Sequence, residues 1–311
     1  MPRPDVHDGH RHLGTLPAHA YYGGPAVVPT VGARATIAEL RADLDHEGTA
    51  AALVIPNYGV PDQAVPFGLN ELCVEAAQRD DRILAGLWVS PRPADAEATD
   101  QALALAREPG VAALKLSFLP GGDVHDPACR GALDRIFAVA EAHDLVVHVH
   151  TSPGGPADID RMGRLVEDYA ERVAVHLVHL GGGVSGHIKL IGGRFFDWVA
   201  AGRRVYTDAS WAIGFAPRWF AAEVARRGLG HDRLLFASDE PWSDYPGELS
   251  RLTAAIGDPE LARRVLAENF QDLYLRRGSA PDPAAAGSAG GSAAGPAAGP
   301  HAATTPDDRA T

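Results

Sequence analysis

The sequence predicts an α/β protein built as a (β/α)8, or TIM, barrel with closing C-terminal helices. Three observations carry that expectation. Eight runs that read as a strand followed by a helix fall within about the first 275 residues, and eight units suit a closed barrel better than an open doubly wound sheet. The strands are short and mostly apolar throughout, as in Ile83-Leu84-Ala85-Gly86-Leu87-Trp88-Val89, the pattern of a parallel sheet covered on both faces. No Gly-x-Gly-x-x-Gly follows an early strand, which removes the main sequence sign of a dinucleotide-binding sheet.

The elements follow in order. The first strand carries Asp8-Gly9-His10-Arg11-His12 and has Val6 as its one β-branched residue, so its polarity leaves the register open. Tyr22-Gly23-Gly24-Pro25 then reads as a loop long enough for an active-site flap. Residues 35–45 space Ile37, Leu40 and Leu44 as one helical face, and 51–57 is a buried strand ending in Asn57 and Tyr58. Leu69, Leu72, Cys73 and Ala76 mark the next helix, followed by the strand 83–89, which ends at Ser90-Pro91-Arg92. An alanine-rich helix over 94–107 leads to the strand 111–116, broken by Pro120-Gly121-Gly122. Asp126-Pro127 is an N-cap followed by a first-turn proline and opens a helix to His143. Strands are expected at 145–150, 173–179, 205–208 and 233–238, with helices at 158–169, 195–201, 218–227, 246–256 and 258–275. The barrel should occupy residues 1–277. From Gly278 to Thr311 the composition collapses to mostly Ala, Gly, Pro and Ser, so that stretch is expected to be a disordered tail.

Composition narrows the function classes. A net charge of −12 and the absence of Lys/Arg runs argue against a nucleic-acid or anionic-membrane partner. No apolar leader opens the chain and no stretch approaches the ~20 apolar residues of a membrane span, so a cytoplasmic home is the expectation. Cys73 and Cys129 stand alone in helical patterns and read as small buried hydrophobes rather than a disulfide framework.

Chemistry in such a barrel gathers at the C-terminal ends of the strands. Read in order, those ends offer His10 and His12, Asn57, Arg92, Lys115, His150, His179 and Asp239. Two histidines two residues apart on a strand point the same way and can offer two imidazoles to one ion. Alternation places Val175, Leu177 and His179 on one face with His176 on the other, and Leu235, Ala237 and Asp239 on one face. His148 shares the face of His150 two residues deeper and reads as an interior histidine or a partner of the site. Asp239 also has a plain reading as a helix N-cap. Arg92, Asn57, Tyr58, His187, Trp211 and Trp242 should ring the mouth, with Arg92 able to grip a substrate carboxylate and the tryptophans to wall an apolar pocket.

Four ordered motifs then carry a resemblance. Asp8-x-His10-x-His12, Val147-His148-Val149-His150-Thr151, His179-Leu180-Gly181-Gly182 and Phe236-Ala237-Ser238-Asp239-Glu240-Pro241-Trp242 resemble the amidohydrolase superfamily. The similarity is closest to its amidohydrolase-related branch, which includes hydrolases and enzymes of the aminocarboxymuconate-semialdehyde decarboxylase type. Glu268-Asn269-Phe270 resembles that family's final helix, and the likeness spans roughly residues 5–275.

The resemblance implies one divalent metal, Zn²⁺ first, held by His10, His12, His150 and Asp239. It assigns Asp239 as general base and His179 as the residue that orients water or donates a proton. Lys115 sits where two-metal members carry a carboxylated lysine, so it stands as a bridge to a second metal, a substrate contact or a structural ion pair. Hydrolysis of an amide, ester or lactone in a small-molecule substrate by metal-bound hydroxide is the first expectation. Non-oxidative decarboxylation is the alternative and a non-catalytic barrel the third. A homodimer fits the family. Glu240 departs from the aromatic residue common at its position, and the polar first strand departs from the family's usual apolar one.

Overall fold

The computed structural model describes residues 5–15, 34–57 and 66–276. The expected flap at 22–25, Tyr58 and the tail 278–311 lie outside those residues. Eight parallel strands follow one another in sheet order β1 to β8. They are β1 Val6–Leu13, β2 Thr49–Pro56, β3 Ile83–Val89, β4 Val111–Leu116, β5 Val146–Val149, β6 Val175–Leu177, β7 Val205–Asp208 and β8 Leu234–Leu235. The eighth segment returns to the first through backbone bonds. Gly9 N–H donates to Phe236 O at 2.9 Å, Asp239 N–H to His10 O at 2.7 Å and His12 N–H to Glu240 O at 2.8 Å. The Asp8 carboxylate adds to the seam by accepting from Ser238 N–H at 2.8 Å, beside a register shift in β1 between Asp8 and Arg11.

The helices between strands are α1 Ile37–Glu47, α2 Asn70–Arg79, α3 Ala96–Ala104, α4 Pro127–Ala142, α5 Ile159–Tyr169, α6 Gly183–Lys189, α7 Phe195–Ala200 and α8 Phe215–Arg227. Helices α9 Tyr245–Ala255 and α10 Pro259–Arg263, with π-turns to Leu275, close the chain's described part. Helix α6 was not expected, because three glycines in a row read as a stop. The Asp126-Pro127 start is as expected, Asp126 Oδ1 accepting from Ala128 N–H at 2.8 Å. Thr36 and Glu39 form a reciprocal capping box on α1.

Two apolar layers result. Outward strand residues such as Leu114, Leu116, Val175 and Leu177 pack under the helices, and α4 meets α5 through stacked Phe137 and Tyr169 rings 3.8 Å apart. Inside the barrel, Leu53, Ile55, Ala113, Val146 and Leu235 meet Phe270, Leu273 and Tyr274 from the closing helix. All eight residues of β1 are buried despite their polarity. They are spent on ion pairs and on the site above this inner layer.

One expectation about facing is overturned. Val175 and Leu177 point outward and His176 inward, the reverse of placing His179 with the first two inside. The strand stops at Leu177, and His179 takes φ 63°, ψ 28°. That left-handed turn breaks the alternation and swings the imidazole back over the barrel mouth.

Candidate metal centre and active-site pocket

A cavity of ≈ 390 Å³ opens at the C-terminal ends of the strands. His10, His12, Lys115, His150, His179 and Asp239 all line it. Trp88, Leu119, Pro153, Trp211 and Trp242 supply most of its apolar wall.

At the floor, His10 Nε2 lies 3.2 Å and His12 Nε2 3.0 Å from the same Asp239 Oδ1. Ligand atoms of His10, His179 and Asp239 all fall within 4.8 Å of one another. His12 Nδ1 sits 3.2 Å from the carbonyl of Pro56, an acceptor only, so Nδ1 carries the proton. A bare Nε2 facing a carboxylate oxygen at that distance needs a proton or a cation between them. His10 adds to this, since neither of its buried ring nitrogens has a hydrogen-bond partner, a cost of about 1–3 kcal/mol each if left so. Burial, then Lys115 and the neighbouring imidazoles, hold its pKa well below the ordinary histidine value. Imidazole nitrogens and one carboxylate oxygen about 3 Å apart match the edge of a tetrahedron with ~2.0–2.1 Å metal–ligand bonds. The donor set therefore fits a divalent cation. His150 stands apart from that tight group, its ring 5.2 Å from that of His179.

Backbone strain builds this floor. Among the described residues, five non-glycine positions have positive φ, and His179, Trp211 and Asp239 of that set line the cavity. Such conformations cost ~1–3 kcal/mol each and persist only where surroundings enforce them. For Asp239, the bond from its N–H to His10 O does so. For His179, the glycines after it do. A Cβ on Gly182 (φ +74°) would come within 2.7 Å of the Ser152 backbone. Only glycine lets the loop after β6 lie against the loop after β5.

A buried layer lies beneath. His179 Nδ1 contacts the Ser210 carbonyl at 3.2 Å and its hydroxyl at 2.8 Å. The carbonyl only accepts, so Nδ1 bears the proton and Nε2 is bare. The Ser210 hydroxyl in turn donates to Asp208 Oδ1 at 2.5 Å, and Asp208 also accepts from the His179 and Ser210 N–H groups. Burial pushes the Asp208 carboxyl up, but hydrogen bonding and charge from His176, with His179 and Ser210, outweigh it and leave it at about 2. His176 Nδ1 meets the Tyr274 hydroxyl at 2.7 Å. Lys115, fully buried, hydrogen-bonds His148 Nδ1 at 3.1 Å rather than a carboxylate, and burial lowers its pKa to about 8. His10, His148 and Asp208 also hold ligand atoms within 4.8 Å of one another.

The structure sends three expected mouth residues elsewhere. Asn57 is buried outside the pocket wall, its Nδ2 donating to Gly14 O and so tying the turn after β1 to β2. Arg92 is held by Asp95 and by the carbonyl of Pro120. His187 spends both nitrogens, with Nδ1 on Leu180 O at 2.9 Å and Nε2 accepting from Ile213 N–H at 3.3 Å. Conversely, Trp88, Asp208 and Ser210 were not singled out. Asp208 ends β7 as a strand-end carboxylate, a signal open to the same reading that found Asp239.

A family model described as amidohydrolase matches residues 8–276. No curated protein matches. Among solved structures, a probable 2-pyrone-4,6-dicarboxylic acid hydrolase from Acinetobacter baumannii, with citric acid bound, aligns at TM-score 0.61 and 15% identity, covering 86% of this chain and 98% of its own. The 5-carboxyvanillate decarboxylase from Sphingomonas paucimobilis aligns at TM-score 0.62 and 13% identity, covering 87% and 98%. An amidohydrolase from Burkholderia multivorans with bound zinc aligns at TM-score 0.59 and 14% identity, covering 87% and 99%.

Proposed function

The chain belongs to the amidohydrolase family, and from that premise we propose that it is a metal-dependent hydrolase opening an amide, ester or lactone bond in a small molecule. The observation that supports this most is the meeting of His10, His12 and Asp239 on one carboxylate oxygen at the floor of an apolar pocket, with His179 beside them. His10, His12 and Asp239 would hold the cation, Zn²⁺ being the first candidate, with His150 as the fourth donor from the rim. What a bound divalent cation supplies there is Lewis acidity, which polarises a carbonyl and makes water more acidic.

The chain's own residues supply the proton transfers. Asp239 would be taken up with His10 and His12 in holding the cation, which leaves the bare Nε2 of His179 as the better-placed base for a water proton. The imidazolium formed is steadied through Nδ1–H, Ser210 and the anionic Asp208. It can return the proton to the leaving group. Trp88, Trp211 and Trp242 shield the reacting centre from bulk water.

Decarboxylation of a small aromatic acid is the second reading. Buried Lys115 in the pocket favours it, because that ammonium can seat a carboxylate. One experiment tests both. Protein purified without chelator is analysed for metal, then assayed in ¹⁸O-water with esters, lactones, amides and carboxylated aromatics. About one equivalent of metal with ¹⁸O in the product supports hydrolysis. Release of CO₂ without ¹⁸O in the organic product replaces it with decarboxylation, and absence of metal with no turnover after metal addition overturns both.

A further inference from the structure

We propose that the pocket selects a flat aromatic substrate carrying at most one negative charge and rejects dicarboxylates. The inference rests on the cavity being the active site. Lys115 is the one lysine or arginine among the described residues that line it. The arginines nearest by chain position are already engaged. Arg11 is buried against Glu47 and Glu240, Arg34 reaches Asp43 and Glu240, and Arg92 is held by Asp95. Residues 16–33 and 58–65, which follow β1 and β2 in the chain, contain no lysine or arginine.

Charge balance sets the limit. A divalent cation at the floor would be offset by Asp239 and by the buried Asp208 carboxylate beneath it, so the one positive charge left for a substrate is that of Lys115. A second carboxylate would find the hydroxyls of Ser117, Thr151 and Ser152 but no second ammonium or guanidinium in a wall otherwise of Trp, Leu and Pro side chains, and desolvating a carboxylate without a counter-charge costs several kcal/mol. The chain's net charge of −12 repels a dianion as well.

The wall gives the shape. Trp88 donates Nε1–H to Pro56 O at 2.9 Å, and its backbone O accepts from Asn70 Nδ2 while its backbone N–H donates to Asn70 Oδ1, so its ring is fixed in place. Lys115 Nζ lies 6.0 Å from the centre of that ring. Trp88 is 2% exposed and backs the floor beside Lys115, so the planar body of a substrate rests on the accessible Trp211 and Trp242 and directs a single anionic substituent down towards the ammonium. Trp211, which is 54% exposed, and Trp242 face the same cavity nearer the mouth.

Calorimetry on the metal-loaded full chain tests this with three probes: coumarin, 2-naphthoate and naphthalene-2,6-dicarboxylate. Coumarin and 2-naphthoate should bind, and the dicarboxylate at least tenfold more weakly than the monocarboxylate. Lys115→Met should weaken 2-naphthoate tenfold or more and leave coumarin within threefold. Trp211→Ala, at a half-exposed position that folding tolerates, should weaken coumarin and 2-naphthoate alike by threefold to tenfold. A dicarboxylate that binds as tightly as 2-naphthoate, or no binding by any probe, overturns the proposal. Binding is read without turnover, so a protein that binds these ligands selectively but hydrolyses nothing refutes only the hydrolytic reading.

Discussion

Ser210 influences the chemistry without lining the cavity. Its hydroxyl donates to Asp208 and accepts from His179 Nδ1–H, which leaves one tautomer for the histidine and points a bare nitrogen at the floor. Removing the hydroxyl leaves only the 3.2 Å contact to the Ser210 carbonyl. Ser210→Ala should therefore lower kcat/KM about 10–100-fold, the usual scale for the partners that orient metal-site histidines. Metal content and Tm should stay near wild type. Unchanged kcat/KM would show that the backbone carbonyl alone orients the ring. His187 is the contrasting case, since both its nitrogens are satisfied by backbone. It should tolerate no polar role in turnover.

At the level of elements, helices are fastened to the sheet by short charged clusters. Asp80, just after α2, accepts from Arg82 Nε, Nη2 and N–H and from Arg41 Nε. The Arg82 hydrogen bonds, opposed by burial and helped by Arg41, hold its carboxyl down at about 2. A depressed folded-state value means the stabilisation is complete above the unfolded value near 4 and fades as pH falls through about 2. Arg41 is 52% exposed and screened by solvent, so Asp80→Asn should cost only about 1–2 kcal/mol at pH 7. Urea unfolding should show the difference narrowing between pH 4 and pH 2.5. A constant difference across that range would remove the ionic explanation.

At the level of the molecule, the seam between the last and first strands depends on a buried cation. Arg11 of β1 bonds Glu47 at the end of α1 and Glu240 after β8, and its guanidinium lies 5.3 Å from the centre of the Tyr245 ring. Arg11→Met would take the cation from the largely buried Glu47 and leave Glu240 only the Arg34 contact at 3.6 Å, so global stability should drop by about 3 kcal/mol. A loss below 1 kcal/mol in denaturant titrations would show that the backbone bonds at Gly9, His12 and Asp239 close the barrel unaided. Residues 278–311 are expected to contribute nothing on this scale, since their composition offers almost no large apolar side chain. A chain ending at Arg277 should keep its Tm and turnover, and a clear loss of either would contradict that expectation.

The barrel was legible in the chain because its signals are local. Apolar runs of strand length, amphipathic helices and caps such as Asp126-Pro127 each follow from the chemistry of neighbouring residues. That His10, His12 and Asp239 line one cavity was legible too, since strand ends in a barrel share one face. Tertiary structure alone decided the rest. Alternation failed at His179 because the turn there is set by glycines lying against another loop. The polar first strand became a buried one because Glu47 and Glu240, remote in sequence, neutralise Arg11. Arg92 and Asn57 left the mouth because nearer partners claimed them. Pairings between distant segments depend on where the whole fold places them, and periodicity along one strand carries no record of that.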